Sequence, residues 1–433
     1  FRVFGKSSNS RLGKDLSSAG DMNGDGYADI IITSPGSNQF NRQASGSVFV
    51  IFGHSNATSF PDIDLHNYNL TSEKGFEIVG AADFHYVGSV VTGGLDLNHD
   101  NYSDIVVGSA PGGYIYVLFG HSNTTGFDQI DLADISSGSK NWGFRINGPW
   151  ATTWNLLSLS SAGDINADGI DDLIIGFPEA SNFDMIQTGC VYVLFGHSNN
   201  YSFNNIDVSS WTTDDEIGFR VFGTAAGGQF GYSVSGGFDI NADGVSDLAI
   251  GAPLADPYGR TDAGAVNVIF GRRSGIWGDI DTANISPDRG YQIFGAVAGD
   301  NLGNSVALSL DINGDTIGDI IIASQFADHQ SRINAGGVVV LYGQLESPTP
   351  SPSALPTLSP TSLPTPGARF VDLNNWQTSS AVGFQVAGAD TGHRLGFAVS
   401  NAGNVNGDNY SDIIIGAVSA DANVGIAYIL FGR

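Results

Sequence analysis

Cysteine, methionine and basic residues are scarce in this chain of 433 residues, and each scarcity excludes something. A single cysteine, Cys190, rules out an intrachain disulfide; it opens an apolar strand, so a buried thiol is expected. Seventeen Lys and Arg stand against 44 Asp and Glu, a formal charge of −27, and no basic run exists to meet a phosphate backbone. Nucleic acid is therefore not an expected partner. No apolar run approaches the roughly 20 residues of a membrane span, and no secretory leader is visible at Phe1. Walker motifs and Gly-rich phosphate cradles are absent as well. Helical periodicity is lacking throughout, whereas glycine is abundant at 59 residues, as many tight turns require.

What is present is a nine-residue acidic loop that returns six times, each copy followed by a short apolar run. The first is Asp21-Met22-Asn23-Gly24-Asp25-Gly26-Tyr27-Ala28-Asp29. Side-chain oxygens at positions 1, 3, 5 and 9, with a small residue at 6, are what a hard cation such as Ca²⁺ requires of a tight turn. The expected ligands are Asp21, Asn23, Asp25 and Asp29, with the Tyr27 carbonyl; then Asp96, Asn98, Asp100 and Asp104, with Tyr102. Asp164, Asn166, Asp168 and Asp172 follow with Ile170, and Asp239, Asn241, Asp243 and Asp247 with Val245. The fifth set is Asp311, Asn313, Asp315 and Asp319 with Ile317; the sixth is Asn404, Asn406, Asp408 and Asp412 with Tyr410. Asp/Asn/Gly clusters are also ordinary turn formers, so one such loop would carry little. Six at one period, all preceding the same kind of strand, point to up to six Ca²⁺ ions, which would bring the charge from −27 to −15.

Two loops are expected to bind more weakly. In 404–412 Asn404 replaces the first carboxylate, and in 311–319 the β-branched Thr316 occupies position 6, where glycine permits positive φ. Asn101 and Asn409 at that position tolerate the left-handed region, and their Asn-x-Ser sequons read as loop geometry rather than glycan sites. The metal's expected role is structural: it ties a hairpin and neutralises carboxylates in a chain without disulfides.

Each repeat reads as four strands. In the first, a strand ending at Gly20 leads into the acidic loop, Asp29-Ile30-Ile31-Ile32 follows as a run buried on both faces, Ser47–Gly53 is the third strand and Phe76–Gly80 the edge. Tandem four-stranded antiparallel units protect their edges by stacking radially, so the expected fold is an all-β propeller of six blades, with seven as the alternative. Phe1-Arg2-Val3-Phe4-Gly5 is an edge-strand sequence like Phe219–Gly223, and the chain stops at Ile429-Leu430-Phe431-Gly432-Arg433, a third-strand sequence. The N-terminal strand is therefore expected to complete the last blade. Residues 1–433 form one propeller domain in this reading, interrupted by a Pro/Ser/Thr-rich insertion at 346–367 that suits extended polyproline II.

Phe-Gly pairs close the third strands at Phe52-Gly53, Phe119-Gly120, Phe195-Gly196, Phe270-Gly271 and Phe431-Gly432, with Tyr342-Gly343 as variant. Gly251-Ala252-Pro253 stands intact, with Gly108-Ser109-Ala110-Pro111 and Gly176-Phe177-Pro178 close to it. These residues resemble the FG-GAP repeats of integrin α-subunit propellers and their bacterial and algal relatives. The resemblance covers the chain except the proline-rich tract. It implies calcium loops on one propeller face and ligands on the other, with seven blades and a β-subunit partner as the integrin norm.

Between-blade differences nominate ligand-face residues: Trp150 and Trp154 in the third repeat, and Tyr258 and Arg260 in the fourth. Buried packing is the competing reading for the tryptophans. His54, His121 and His197 recur in a Phe-Gly-His-Ser-Asn segment, which marks them as architectural; His85, His329 and His393 have no assignable nucleophile or carboxylate partner. No catalytic residue is expected. Sequons at Asn56, Asn69, Asn123, Asn200 and Asn284 are expected to be glycosylated, which with the calcium loops suggests an extracellular, secreted or wall-associated address. The reading is a non-catalytic adhesion or structural scaffold that engages an extracellular protein or glycan, or itself. The alternatives are a lectin-like glycan binder and a polysaccharide-acting enzyme.

Overall fold

The computed structural model describes residues 1–55, 62–66, 70, 73–110, 113–122, 129–137, 142–149, 157–181, 187–198, 203–211, 216–273, 275, 277–309, 311–344, 370–372 and 383–433. The apolar runs that follow the acidic loops become the second strands of six sheets: Asp29–Ser34, Asp104–Ser109, Asp172–Phe177, Asp247–Ala252, Asp319–Ser324 and Asp412–Ala417. β-Branched runs favour a pleated strand buried on both faces. In the second to fifth sheets every residue of that strand is buried. The fold is an all-β arrangement of six propeller-type blades, the number counted from the loops rather than seven.

Each of the first four blades has four antiparallel strands and a fifth that the sequence reading lacked. A two- or three-residue parallel segment from the next repeat's connector adds to the edge strand: Ile130–Asp131 on Gly75–Val79, Ile206–Asp207 on Gly143–Asn147, Ile280–Asp281 on Gly218–Phe222, and Phe370–Asp372 on Gly290–Phe294. Recurring Ile-Asp pairs were its sequence signal. The fifth sheet has four described strands and the last has three, Leu395–Gly403, Asp412–Ala417 and Ile426–Leu430.

The expected fourth strand of that last sheet is not among the described pairings. Val3–Phe4 pairs instead in parallel with Ile63–Asp64, the connector segment of the first repeat. That is how the other edge strands meet the following connector. Arg2 adds the same side-chain contact as its counterpart: its guanidinium holds Asp62 at 2.6 Å, as Arg220 holds Asp279 at 2.5 Å. Phe1–Gly5 therefore has edge-strand character, shown through its outer neighbour only.

The chain divides into two compact units, residues 1–161, 170–173 and 195–212, and residues 162–169, 174–194 and 213–433. In the first, facing residues of blades one and two interdigitate, with Met22, Val48, Val50, Phe76 and Ile78 against Ile105, Val107 and Tyr116. In the second, one core joins Val266, Val268 and Ile293 of blade four to Val306, Ile320 and Ile322 of blade five, and another joins Ile321, Val338 and Val340 to Ile413 and Ile415 of blade six. Sheet faces buried in this way are the main source of stability in a chain without disulfides. Cys190 is buried, as expected, and burial pushes its thiol up to about 12.

The Pro/Ser/Thr-rich insertion at 346–367 lies outside the described residues, as do Trp150, Trp154 and the sequons at Asn56, Asn69, Asn123 and Asn200.

Candidate metal centres

Every acidic loop joins the first and second strands of its blade, and its backbone is shaped by two left-handed residues. At position 6, Gly26, Asn101, Gly169, Gly244, Thr316 and Asn409 all have φ between 67° and 88°. Asparagine reaches that region with little penalty, whereas Thr316, at φ 72°, carries the strain its branched side chain implies. Position 4 is left-handed too: Gly24, His99, Ala167, Ala242, Gly314 and Gly407 lie between 57° and 84°. The sequence reading missed this second turn because His and Ala occupy three of its six copies.

Inside the loop, side-chain oxygens are turned inward onto backbone N–H groups. In the first copy, Asp21 accepts from Asp25 at 3.0 Å through Oδ1 and from Gly26 at 2.8 Å through Oδ2, while Asn23 Oδ1 accepts from Asp25 at 3.0 Å. Asn23 Nδ2 donates to Asp25 Oδ2 at 3.1 Å, and Tyr27 N–H donates to Asp25 Oδ1 at 2.9 Å. The same bonds recur in loops two, four and five. In loop three Asp164 accepts from Asp168 and Gly169, and Asn166 bonds Asp168 as Asn23 bonds Asp25. Loop six departs in one bond. Asn404 Oδ1 accepts from Gly407 and Asp408, but its second terminal atom is a nitrogen, and the bond from position 6 is not among those described.

Position 9 sits deepest. Asp29, Asp104, Asp247, Asp319 and Asp412 are at most 1% exposed. Each accepts the N–H of position 2 through Oδ2 (Met22, Leu97, Ile240, Ile312, Val405), and through Oδ1 the N–H of the glycine in the Phe-Gly or Tyr-Gly pair (Gly53, Gly120, Gly271, Gly343, Gly432). Asp172 accepts likewise from Gly196. A Cβ on any of these six glycines would strike the position-8 carbonyl, from Ala28 O at Gly53 to Ser411 O at Gly432. The Phe-Gly signature and the acidic loop are thus two halves of one device.

Adjacent loops are also joined. Within the first unit, Ser103 N–H donates to Asp21 O and His121 N–H to Met22 O, and His197 N–H donates to Leu97 O. Within the second, Ser246, Gly318 and Ser411 donate to the position-1 carbonyls of Asp164, Asp239 and Asp311, while Arg272, Gln344 and Arg433 donate to Ile165, Ile240 and Ile312. Two of the three recurring histidines, His121 and His197, are therefore placed by a backbone bond that Arg and Gln make equally well. That agrees with an architectural role.

Burial raises four of the position-9 carboxyls, Asp29, Asp104, Asp247 and Asp319, and the nearby charges at positions 5 and 1 add to it, against the pull of two N–H donors. Asp29 is pushed up to about 6, Asp319 to about 7 and Asp104 to about 8, with Asp247 raised well above the carboxylate range. None of the carboxylates in loops one, two, four and five takes part in a described ion pair. Among the described residues, no three Asp, Glu, His or Cys side chains stand together at metal-binding distances. The carboxylates turn to N–H groups instead, yet the donor set is all oxygen and its charges are mutually repulsive. That chemistry fits a hard divalent cation.

Of the proposed ligand-face residues, Tyr258 and Arg260 are brought together. Arg260 Cζ lies 5.3 Å from the Tyr258 ring centroid, and Tyr258 is 63% exposed with φ 55° and its ring edge on Phe294. Asn284 is exposed and ends a short 3-10 turn, its amide donating to Asp281 at 3.2 Å. His85 is stacked on Tyr114 at 5.2 Å.

A family model described as FG-GAP repeat matches residues 16–51 and 230–269, which carry loops one and four. The phosphatidylinositol-glycan-specific phospholipase D of Bos taurus is 35% identical over 167 residues, 39% of this chain and 18% of the relative. The Rattus norvegicus protein of that name is 32% identical over 203 residues, 47% and 22% respectively. Integrin alpha-PS2 of Drosophila melanogaster is 26% identical over 263 residues, 60% of this chain and 15% of the integrin. The chain spans less than a quarter of the length of these relatives.

Proposed function

We propose, from the premise that this chain carries FG-GAP repeats in a six-bladed β-propeller arrangement resembling that of integrin α-subunits, that it is an extracellular, calcium-stabilised scaffold with an adhesive, non-catalytic role. One observation carries the reading: in five loops a buried position-9 carboxylate is clamped between the loop and the Phe-Gly or Tyr-Gly turn, and in four of them burial first, with the neighbouring aspartates adding to it, raises that carboxyl. Ca²⁺, when bound, would supply the positive charge that this cluster lacks. The residues that would hold it are those at positions 1, 3, 5 and 9 with the position-7 carbonyl, from Asp21–Asp29 through Asn404–Asp412. The loops orient those oxygens through their two left-handed residues, and the Phe-Gly turn holds the deepest of them in place.

The relatives named as phospholipase D match over about a fifth of their length, and that activity is not carried to this chain. No helix among the described residues is long and apolar enough to cross a membrane. The proposed partners are an extracellular protein or glycan, or a second copy. The reading is tested by thermal unfolding with and without EGTA, alongside calorimetric titration of Ca²⁺ into the stripped protein. The expected result is several equivalents bound and a melting temperature lowered by ten degrees or more on chelation. A melting curve that ignores EGTA, with no heat on titration, would sink it. Adhesion is tested separately by attachment of protein-coated beads to each other and to extracellular matrix, with calcium dependence expected.

A further inference from the structure

In the second unit lies a cavity of about 240 Å³ that the features common to the repeats do not explain. Third and fourth strands face each other residue by residue, and at one step the first three blades put an aromatic on strand three. Phe49 stands opposite Glu77, Tyr116 opposite Arg145, and Tyr192 opposite Arg220. Blade four has Asn267 opposite Gln292 instead. An amide replaces a ring, and Gln292 Nε2 donates to Asn267 Oδ1 at 2.7 Å. Both residues line the cavity, with Asn267 only 3% exposed.

Three further facts define what the cavity would accept. Thr188 lines it, fully buried, and its Oγ1 has no hydrogen-bond partner among the described residues, which favours a polar occupant. Phe230 and Phe294 supply apolar walls, and Tyr258, in edge contact with Phe294, extends aromatic surface outward. The lining has no Lys or Arg, and its one carboxylate, Asp256, already accepts the N–H of Asp262 at 2.8 Å. An anion finds no counter-charge there and a metal ion no cage. The volume is below the roughly 300–1,000 Å³ of pockets for drug-sized ligands, which suits one small ring.

We propose that this cavity binds a single neutral sugar residue, its hydroxyls meeting the Asn267–Gln292 amide pair and Thr188, its apolar face on Phe230 and Phe294. The site lies beyond the end of strand Asp247–Ala252 opposite the acidic loop, so it stands whether or not that loop holds calcium. Saturation-transfer difference NMR on the whole chain in calcium buffer tests it, with methyl glycosides of galactose, mannose, glucose, arabinose and xylose, and with myo-inositol as a free polyol. At least one glycoside is expected to receive saturation. The signal is expected to vanish in Asn267→Phe, which restores the ring of the first three blades, and in Thr224→Trp, which plugs the mouth from an exposed position. Circular dichroism and the melting curve show whether each variant folds, and Thr224→Trp decides if Asn267→Phe does not. No transfer to any glycoside at tens of millimolar, transfer to myo-inositol alone, or transfer that persists in folded Thr224→Trp would overturn the proposal.

Discussion

The backbone N–H of Gly53 donates to Oδ1 of Asp29 at 2.9 Å, joining the last residue of a Phe-Gly pair to the last residue of an acidic loop 24 positions earlier. The bond closes the hairpin of strands one and two against the end of strand three. Five further copies of it run along the chain, at Gly120, Gly196, Gly271, Gly343 and Gly432. The glycine is needed because any side chain there would collide with a carbonyl, not because its φ is unusual.

That distinction separates two glycine substitutions. Gly53→Ala must push its Cβ into the Ala28 carbonyl and the Tyr27 side chain, whereas at Gly26 a Cβ meets nothing within 4 Å and only the φ of 87° is strained. Gly26→Ala is expected to cost about 1 kcal/mol and Gly53→Ala about 3 kcal/mol. Denaturant unfolding in calcium buffer measures both; equal losses would show that the clamp is soft.

Asn404 is the one first-position residue that cannot accept at both terminal atoms, and its loop has two carboxylates at the ligand positions where the others have three. Asn404→Asp restores the acceptor for the position-6 N–H and the missing charge. With calcium present the variant is expected to melt a few degrees higher and to bind at loop six about tenfold more tightly, as one added carboxylate ligand would give. Without calcium it is expected to be no more stable than the parent, because the third charge is then only repulsive. Paired melting curves with and without EGTA check both signs.

Much of this architecture was legible in the sequence because the chain repeats itself. Asp29-Ile30-Ile31-Ile32 and its five counterparts identified the second strands, and the loops before them fixed the blade number. The Ile-Asp pairs were equally periodic but only two residues long, too short for a strand signal, so the parallel fifth strand was not read. Positive φ at His99, Ala167 and Ala242 was hidden because those residue types do not advertise it. The cavity by Asn267 was illegible for another reason. It arises from which residue faces Gln292, and the two strands, Ala265–Ile269 and Gly290–Phe294, are joined by a long connector with no tight turn to fix their register in the sequence.

Arg220 and Arg2 make the same contact with different surroundings. Arg220 grips Asp279 through Nε and Nη2, both side chains are 23% exposed, and its guanidinium lies over Phe222 at 5.1 Å. Arg2 grips Asp62 with 75% and 41% exposed, where water screens the pair. Arg220→Lys keeps the charge and loses the fork, so it is expected to cost about 1–2 kcal/mol by denaturant unfolding. Arg2→Lys is expected to be close to silent, and a larger loss there than at Arg220 would reverse the ranking.

Asp300 gives a pH dependence outside the acidic loops. Burial first, and the nearby charge of Asp328 second, raise its carboxyl to about 6 against the pull of the Asp328 N–H. In the unfolded chain it titrates near 3.8. A folded-state value above the unfolded one means that the native chain keeps a proton which the unfolded chain has released. The stability this group contributes is whole below about pH 4 and is lost as pH rises through 6. Asp300→Asn can still accept the Asp328 N–H but never ionises. In excess calcium, the variant is expected to match the parent near pH 4 and to melt several degrees higher at pH 7.5, the gap opening between pH 4 and 6. Melting curves of both proteins across that range decide the matter: a constant gap, or a variant less stable at pH 7.5, would mean that Asp300 is charged and satisfied in the folded chain.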